Sequence, residues 1–237
     1  MSIISRGLPA AALALFLAGG LMASLTAVTP AQAASIDDEA PVLRPLKAFD
    51  AEYRLKVKDW PGATLTHRIS HEGRHWLSEM RFSIAVASGQ ERSRFSADDE
   101  ATHSLHYYSG YSLFGVGDSY ELADADIDTL DRQTALVDLA RRAGRENCTE
   151  SAPCDIHFVD HRGRDENFEY YAAGTRQIKV PAGTFEALTV VLLDAEKTDR
   201  ETRISYQPDY PGLIVDASYW KDGKRETHIT LTQLNRQ

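Results

Sequence analysis

Residues 49–58 run Phe49-Asp50-Ala51-Glu52-Tyr53-Arg54-Leu55-Lys56-Val57-Lys58, an alternation of apolar and charged side chains. Successive side chains of a β-strand point to opposite faces, so this stretch predicts a strand with one buried and one charged face. Trp60-Pro61-Gly62 ends the pattern. The decisive signal in the chain is therefore a sheet that buries one of its faces.

Further strand patterns follow in the first half. Residues 63–86 predict a hairpin that turns at Glu72-Gly73, in a register that pairs Leu65 with Met80 and Ile69 with Trp76. Ser88-Gly89 predicts a break before a strand at 91–97. Residues 98–127 are rich in tyrosine and glycine and predict only short strands and turns.

The second half predicts more hairpins. Their strands are expected at 155–161, 166–172, 175–180, 184–194, 200–207, 213–220 and 224–234. The last hairpin turns at Asp222-Gly223, where a three-residue loop would place Val215 opposite Ile229. We expect a bulge there, with Gly223 in a left-handed conformation.

One helix is predicted, over residues 130–143. Leu136, Leu139 and Ala140 share one helical face, Asp128 or Asp131 can cap the start, and Gly144 follows the end. About ten antiparallel strands with one helix predict a mainly β fold. The expected architecture is a single curved antiparallel sheet, an open or closed β-barrel, with the helix covering one opening.

The first 33 residues have the organisation of a cleavable signal peptide. Arg6 precedes an apolar run over 7–28, and Ala31-Gln32-Ala33 offers a cleavage site before Ala34. An uncleaved anchor is the alternative, since the run could span a bilayer. The sequence predicts a periplasmic protein with a flexible lead-in at 34–47 and a single β-rich domain at 48–237.

The charge balance excludes some partners. Arg6 is the leader's only charged residue, so the mature chain carries 25 basic and 35 acidic side chains and a net charge of −10. Nucleic-acid binding needs a basic footprint, so we expect no nucleic acid as a partner. No later stretch approaches spanning length, so we also expect no integral membrane protein after cleavage.

Two cysteines, Cys148 and Cys154, are the only ones in the chain. In an exported protein this pair predicts one disulfide. Its short loop would stabilise the fold by about 2 kcal/mol in the chain-entropy model. A redox pair is the alternative, but the spacing is not that of C-x-x-C.

No motif assigns a reaction or a metal. His67, His71 and His75 would align on a helix, but on the predicted hairpin His75 points away from the other two. Neither this set nor the pairs His103/His106 and His157/His161 has a recognisable metal-ligand spacing. The sequence contains no nucleophile elbow, phosphate-binding loop or dinucleotide fingerprint. We therefore expect no catalytic residue, metal or cofactor.

Aromatic residues on the presumed inward face are the candidate ligand-binding set. They are either core or, if the sheet is too wide to be filled by its side chains, the lining of a pocket. His67 is included as a polar group on the same face. The candidates are Tyr53, His67, Trp76, Phe82 and Tyr206.

Four short motifs are informative when they are taken together. The principal one runs from Val180-Pro181-Ala182-Gly183-Thr184-Phe185 to Val190, and the others are Phe49-Asp50-Ala51-Glu52-Tyr53, Asp131-Arg132-Gln133-Thr134-Ala135-Leu136 and Tyr206-Gln207-Pro208-Asp209. They resemble an exported family, the domain-of-unknown-function family 3108 (DUF3108), and the resemblance covers residues 48–234. It implies a curved antiparallel sheet similar to the half-barrels of periplasmic lipoprotein carriers, and it carries over no catalytic residue.

These observations favour a non-enzymatic carrier for an apolar or amphipathic envelope ligand. A lipid, a lipoprotein acyl chain and an envelope glycan all fit that description. The alternatives are a periplasmic enzyme acting on polysaccharide, and a structural envelope-assembly factor that pairs through an edge strand.

Overall fold

The computed structural model describes residues 42–195 and 197–236. The predicted signal peptide, residues 1–33, and residues 34–41 of the lead-in lie outside the described residues. The rest of the lead-in, residues 42–47, has no regular secondary structure but packs on the domain. Leu43 is buried, and its N–H donates to the Asp99 carbonyl at 2.8 Å.

Twelve strands form a single antiparallel sheet, and one helix accompanies it. The strands are β1 (Phe49–Val57), β2 (Ala63–Glu72), β3 (His75–Ile84), β4 (Ala87–Ala97), β5 (Thr102–Leu113), β6 (Val116–Ala123), β7 (Cys154–Val159), β8 (Asp165–Val180), β9 (Gly183–Asp194), β10 (Arg200–Tyr206), β11 (Ile214–Lys221) and β12 (Lys224–Arg236). The helix α1 spans Arg132–Arg142, after a short 3-10 turn at Asp124–Asp126. The predicted mainly β class and the single helix are confirmed.

The strand order is that of two meanders joined at the middle. It runs β6-β5-β4-β3-β2-β1-β12-β11-β10-β9-β8-β7, so β1 and β12 pair at the centre. Strands β6 and β7 follow one another in the chain but lie at opposite edges. The connection between them carries α1 and therefore crosses from one edge of the sheet to the other.

The sheet is open, although its curvature brings the two edges together. The rings of Tyr120 on β6 and His161 beyond β7 have centroids 6.4 Å apart, and Leu122 packs near Gly163. Val159 on β7 donates its N–H to the Leu130 carbonyl at 2.7 Å instead of to β6. In a closed barrel, hydrogen bonds between β6 and β7 would join the two edges. Here the segment before α1 pairs with β7 instead.

The concave face of the sheet carries the core, and α1 lies against it. Strand alternation buries Phe49, Ala51 and Tyr53 on β1 and leaves Glu52 and Arg54 exposed. From the helix, Val137 and Leu139 are fully buried in the same cluster. The alternation that predicted the first strand therefore marks the buried face of the whole sheet.

Asp131 fastens the start of α1 to the sheet. Its Oδ1 accepts the backbone N–H groups of Gln133 (2.9 Å) and Thr134 (3.0 Å), as an N-cap does. Its Oδ2 accepts hydroxyl groups from Ser93 on β4 (2.6 Å), Ser104 on β5 (2.6 Å) and Thr134 (2.7 Å). The side chain is fully buried, so these five bonds replace its hydration.

Two arginines fix the other end of α1. Arg141 is buried and donates to the carbonyls of Arg44 and Ala101, each at 2.9 Å. Arg44 donates back to the carbonyls of Ala140 and Ala143, which the end of the helix leaves without intrahelical partners. Burial lowers the pKa of Arg141, but the charge is retained against carbonyl dipoles.

The two predicted hairpin registers were wrong by two residues. Leu65 faces Phe82 and not Met80, because the first hairpin turns at Gly73-Arg74 with Gly73 at φ +64°. Ile229 faces Ala217 and not Val215, because Asp222 and Gly223 alone form the last turn, both at positive φ. A shift of two keeps every side chain on its predicted face. The predicted bulge is present, at Tyr219/Trp220.

Three predicted strand boundaries were also wrong. Residues 98–127 contain two long strands, β5 and β6, and β4 continues through Ser88-Gly89. Strand β8 is continuous where two strands were predicted, with a bulge near Gly174. In each case the prediction placed a break at a glycine, but that glycine lies inside a strand. The ring of Phe82 covers Gly89, and that of Tyr108 covers Gly110, which supplies the missing packing.

The predicted disulfide between Cys148 and Cys154 is present, with 5.3 Å between their Cα atoms. It closes the segment between α1 and β7. Cys148 is buried in the main core, and its carbonyl accepts the N–H of Ala172 on β8 at 3.1 Å. The bridge therefore fixes the entry into the edge strand β7.

Replacing Asp131 with alanine should lower the free energy of unfolding by about 3–5 kcal/mol. The change removes a helix cap, worth about 1 kcal/mol, and leaves several buried donors unsatisfied at about 1–3 kcal/mol each. Urea denaturation followed by circular dichroism measures the effect. The matched control is Asp128→Ala at the exposed alternative cap, which should change stability by less than about 0.5 kcal/mol. Equal losses in the two variants would contradict the anchoring role of Asp131.

Candidate functional site

The helix covers one end of the curved sheet and leaves the other open. Arg141 near its C-terminus bonds to Asp98 and Ala101 in the β4–β5 turn, whereas its N-terminal Asp131 reaches only the middle of β4. Eleven helical residues span about 16 Å, but strands of 10 to 13 residues span about 33–43 Å. The helix is thus too short to fill the concave side, and a cleft remains beyond its N-terminus.

We call this space the concave cleft. It comprises two adjoining cavities of about 290 and 280 Å³, and both are lined by Arg132 and His161. Together they reach the size range of about 300–1,000 Å³ that is usual for small-molecule sites. The rim around the cleft consists of six connections, whose described residues are 58–62, 85–86, 114–115, 160–164, 195 with 197–199, and 222–223.

Apolar side chains form two walls of the concave cleft. Leu65, Met80 and Phe82 lie on the β2–β3 side. The opposite wall consists of Phe158, Phe168, Leu192 and Tyr219. The rings of Phe158 and Phe168 stack at 5.6 Å. Most of these side chains are only half-buried, so the cleft exposes apolar surface that a ligand could cover.

A polar cluster forms the floor, centred on the Glu91 carboxylate. Its Oε2 accepts from Tyr107 Oη (3.0 Å), Gln133 Nε2 (3.1 Å) and Arg132 Nε (3.2 Å), and its Oε1 accepts from Arg132 Nη2. Burial by itself would lower the pKa of Arg132, but Glu91 raises it. Burial, with Glu91 adding to it, raises the pKa of Tyr107. The floor therefore holds a fixed ion pair whose guanidinium borders the cleft.

Two buried nitrogen atoms that border the cleft have no hydrogen-bond partner among the described residues. They are Nδ1 of His161 and Nε of Arg200. Burial, reinforced by the positive charge of Arg132, lowers the pKa of His161. Arg200 faces Lys221 across β10 and β11, which places two cations side by side at the rim. A ligand that brings hydrogen-bond acceptors and a negative charge would satisfy this wall.

A directed chain of hydrogen bonds leads from the floor into the core. Ser78 donates to Gln133 Oε1 at 3.1 Å, so its oxygen is left to accept from His67 Nε2, also at 3.1 Å. His67 therefore carries a proton on Nε2. Its Nδ1 is buried and has no partner among the described residues, so the ring is neutral. Burial lowers its pKa to about 3.

The structure divides the five candidate ligand-binding residues between core and cleft. Phe82 lines the concave cleft. Tyr53, His67 and Tyr206 are fully buried beneath it, and burial raises the pKa of both tyrosines. Trp76 is half-buried near the closed end, where its ring packs on His71 with centroids 3.7 Å apart. A ligand-binding role for any of the five stays a prediction.

Three other histidines bond to individual partners in the structure. His75 bonds to Arg94 (2.8 Å), His106 to Glu121 (2.7 Å) and His228 to Asp216 (2.7 Å). Among the described residues, three possible metal-ligand side chains converge only at Glu146 and the two cysteines. The disulfide occupies those sulfur atoms.

A second depression, of about 590 Å³, lies mainly on the outer face of the sheet near the same end. Its lining combines polar side chains, such as Thr66, Arg81 and Gln90, with the rings of Phe82 and Tyr108. It is floored in part by Gly89 and Gly110, where the sheet backbone carries no side chain. It is larger than either part of the concave cleft and shares Phe82 with it.

Sequence reasoning missed Glu91, Arg132, His161 and Arg200 as cleft residues. Strand alternation could have located Glu91, because residues 91, 93 and 95 share one face and Ser93 and Phe95 point inward. A charged residue on a buried face indicates a partner or a polar site. Arg132 and His161 lie outside strands, so no alternation could place them.

Comparisons with known proteins give structural similarity only. No protein-family model and no curated protein matches the chain. Among solved structures, a Parabacteroides distasonis ATCC 8503 protein assigned to the lipoproteins has a TM-score of 0.38 at 8% identity, covering 81% of this chain and 97% of that one. A Bacteroides fragilis NCTC 9343 protein assigned to the exported proteins, with a YmcC-like fold, has a TM-score of 0.37 at 10% identity, covering 83% of this chain and 100% of that one. MucB has 0.36 at 11% identity, covering 80% of this chain and 53% of its own.

No helix in the described part of the chain is long and apolar enough to cross a membrane.

Replacing His67 with glutamine should flatten the acid dependence of stability. The pKa of His67 is lowered from 6.5 to about 3, so below about pH 6.5 the unfolded chain binds a proton that the folded chain does not. The stability contributed by the neutral ring is complete above that pH and is lost toward pH 3, at up to about 1.4 kcal/mol per pH unit. Urea denaturation at about pH 7, 5.5 and 4 measures the slope.

The control for this experiment is His157→Gln at an exposed histidine that bonds only to Asn167. It should retain the pH dependence of the wild type. A His67→Gln variant whose unfolding free energy falls in parallel with the wild type would show that His67 is not held neutral in the core.

Proposed function

We propose that this chain is an exported, periplasmic, non-enzymatic protein that binds an amphipathic envelope ligand in the concave cleft. The observation that carries the proposal is the composition of the cleft, where apolar walls meet cationic and hydrogen-bonding groups across one cavity. Met80 and Phe82 face the space from β3, while Arg132 and His161 border it from the helix side. A molecule with an apolar chain and a polar head matches both surfaces.

Export is supported by two features of the sequence. Residues 1–33 have the pattern of a cleavable leader. The Cys148–Cys154 disulfide suits an oxidising compartment such as the periplasm. Membership of the DUF3108 family stays a prediction from the motifs at 49–53, 131–136, 180–190 and 206–209.

Three carboxylates of the cleft are fixed in ion pairs, which favours binding over polysaccharide hydrolysis. A general acid needs a carboxyl group whose pKa is raised toward neutrality. Burial would raise the pKa of Asp160, but Arg164 and backbone N–H groups lower it to about 2. Glu91 is held by Arg132 and Asp194 by Lys197. Carboxylates fixed in ion pairs serve to orient cations.

The contacts between the sheet edges disfavour assembly through edge-strand pairing. The ring of Tyr120 on β6 packs edge-on to His161, and Arg162 lies over the same ring at 5.7 Å. Leu122 packs with Tyr107 and Val159 in a small cluster. An incoming strand would have to displace these side chains before it reached the backbone.

Replacing Phe82 with serine should weaken binding of a fluorescent 18-carbon fatty acid about tenfold. Burial of a phenylalanine side chain contributes about 1.5–3 kcal/mol, of which a half-buried ring supplies part. Fluorescence titration of the mature protein gives the dissociation constant. The matched control is Tyr108→Ser, because Tyr108 also covers a glycine but on the outer face.

Equal affinity in the Phe82→Ser variant and the wild type would remove the concave cleft as the binding site. Loss of affinity in Tyr108→Ser, with or without a loss in Phe82→Ser, would place the site in the outer depression, which both residues line. Solvent extraction of protein purified from the periplasm, followed by mass spectrometry, identifies the natural cargo. A soluble glycan without an apolar part as the cargo would contradict an amphipathic ligand.

Arg200 should distinguish an anionic head group from a neutral one. Replacing Arg200 with glutamine should weaken binding of the fatty acid about three- to tenfold, in line with about 1 kcal/mol for a lost charge-assisted bond. Binding of the alcohol of the same chain length should change little. The same loss for acid and alcohol would mean that Arg200 acts through shape and not through charge. Arg203→Gln, on the outer face, is the control.

A further inference from the structure

Three neighbouring hairpins place exposed apolar side chains on one side of the rim. The β1–β2, β3–β4 and β5–β6 connections lie next to one another, because their strands are consecutive in the sheet. We call them the apolar tips. Their exposed residues include Trp60 (48% exposed), Leu113 (40%), Phe114 (74%) and Val116 (77%). Phe114 and Val116 are the most exposed large apolar side chains among the described residues.

Two of the apolar tips contain no charged residue. Residues 82–90 and 107–117 contain no Asp, Glu, Lys or Arg, although 26% of the whole chain is charged. The first run includes Ile84-Ala85-Val86, and the second includes Leu113-Phe114-Gly115-Val116. An exposed loop facing only water has no reason to lack charge over such lengths. A loop that enters an apolar medium does, since a charge there is costly.

Phe114 is held in a conformation that a bulky residue avoids. Its φ is +53°, and it is followed by Gly115 at +80°. The first of these positions in a tight hairpin turn ordinarily favours Asn, Asp or Gly. With three-quarters of its side chain exposed, Phe114 gains little packing within the chain to offset that strain. Strain at an exposed aromatic tip points to a function outside the fold.

Part of the backbone at the apolar tips is paired within the chain. The N–H of Phe114 donates to the carbonyl of Val86 at 2.8 Å, which ties the β5–β6 tip to the β3–β4 tip. A bilayer offers no hydrogen bonds to the main chain, so a segment that enters it needs such internal pairing. A protein partner that added a strand would instead require free donors and acceptors.

The opposite side of the rim carries charged groups of both signs, the acidic ones including Asp199 and Asp222. Arg162 lies in the β7–β8 connection, Lys197 in the β9–β10 connection, and Lys221 and Lys224 flank the β11–β12 turn. Cations at this height can contact lipid phosphates while the apolar tips enter the layer below the head groups. Trp60 has the amphipathic ring that is enriched at membrane interfaces.

We propose that the rim is a docking surface for a phospholipid bilayer, with Trp60, Phe114 and Val116 entering the interface. Insertion is shallow, because Lys58, Asp59 and Asp118 lie directly behind the tips. The interaction depends chiefly on apolar burial, so it tolerates salt and needs no anionic lipid. Docking would open the concave cleft toward the membrane surface. The docking proposal therefore rests on the proposed function of the cleft, but the two can be tested separately.

Flotation of the mature protein with phosphatidylcholine vesicles tests the proposal. The wild type should float with the vesicles at low and at high salt. The Phe114→Asn variant should bind at least about threefold more weakly, and Phe114→Asn combined with Val116→Asn at least about tenfold. Asn suits the left-handed turn better than Phe, so the melting temperature of Phe114→Asn should equal or exceed that of the wild type. Weak binding can then not be attributed to misfolding.

Val42→Asn, at an exposed apolar residue remote from the rim, is the control and should float like the wild type. Trp60 provides a second signal: its fluorescence should shift to the blue with vesicles, and the shift should disappear in Trp60→Phe. Fatty-acid binding in solution should be unchanged in the rim variants, which separates this proposal from the cleft.

Two outcomes would overturn the proposal. One is that the wild type does not float, or that the wild type and the double variant float equally. The other is that sedimentation equilibrium shows a dimer that is lost in Phe114→Asn while vesicles are not bound. The apolar tips would then be an interface between two copies of the chain.

Discussion

A single buried carboxylate, that of Asp131, holds this fold in its functional arrangement. It caps α1 and accepts hydroxyl groups from β4 and β5, so one side chain fixes the helix direction relative to the sheet. The residue also forms an isolated bridge with Val159 next to the far edge of the sheet. Because α1 belongs to the segment that joins the two edges, this anchor fixes the depth that the helix occupies on the concave face.

The concave cleft is a direct consequence of that anchor. Arg132 and Gln133 follow Asp131 in the chain, so fixing the cap delivers both side chains to Glu91. The polar chain then continues through Ser78 to His67, each donor matched to one acceptor. The network ends at His67, whose Nδ1 has no partner among the described residues. It provides a rigid polar floor beneath walls that are otherwise apolar, and the helix is too short to fill the space above it.

Strand direction decided the composition of the rim. Every second connection of the sheet comes to the open end, and the first three of these carry Trp60, Ile84-Ala85-Val86 and Leu113-Phe114. The last three carry the charged segments near Arg162, Lys197 and Lys221. The chain thus separates apolar and charged tips by their order in the sequence, because consecutive hairpins remain neighbours in a meander.

Sequence reasoning succeeded where a side chain's position depends on local geometry. The period of two in residues 49–57 gave the correct buried face, and the helix, its cap and the disulfide were all predictable from short motifs. The hairpin registers failed by two residues, because a turn can use one pair of residues or the next with nearly the same local energy. The glycines at 89 and 110 were taken as breaks, because the aromatic rings that cover them come from positions that only pairing or packing reveals.

The amino-acid sequence by itself determined which face of each strand is buried, where the helix starts and which cysteines form the disulfide. These properties depend on residues a few positions apart, so alternation, capping and spacing suffice to specify them. Only the tertiary structure decided that the sheet stays open, and that Glu91, Arg132, His161 and Arg200 surround one space. Those residues come from four separate parts of the chain. Their meeting depends on the curvature of twelve paired strands and on the depth of one short helix, which no local pattern encodes.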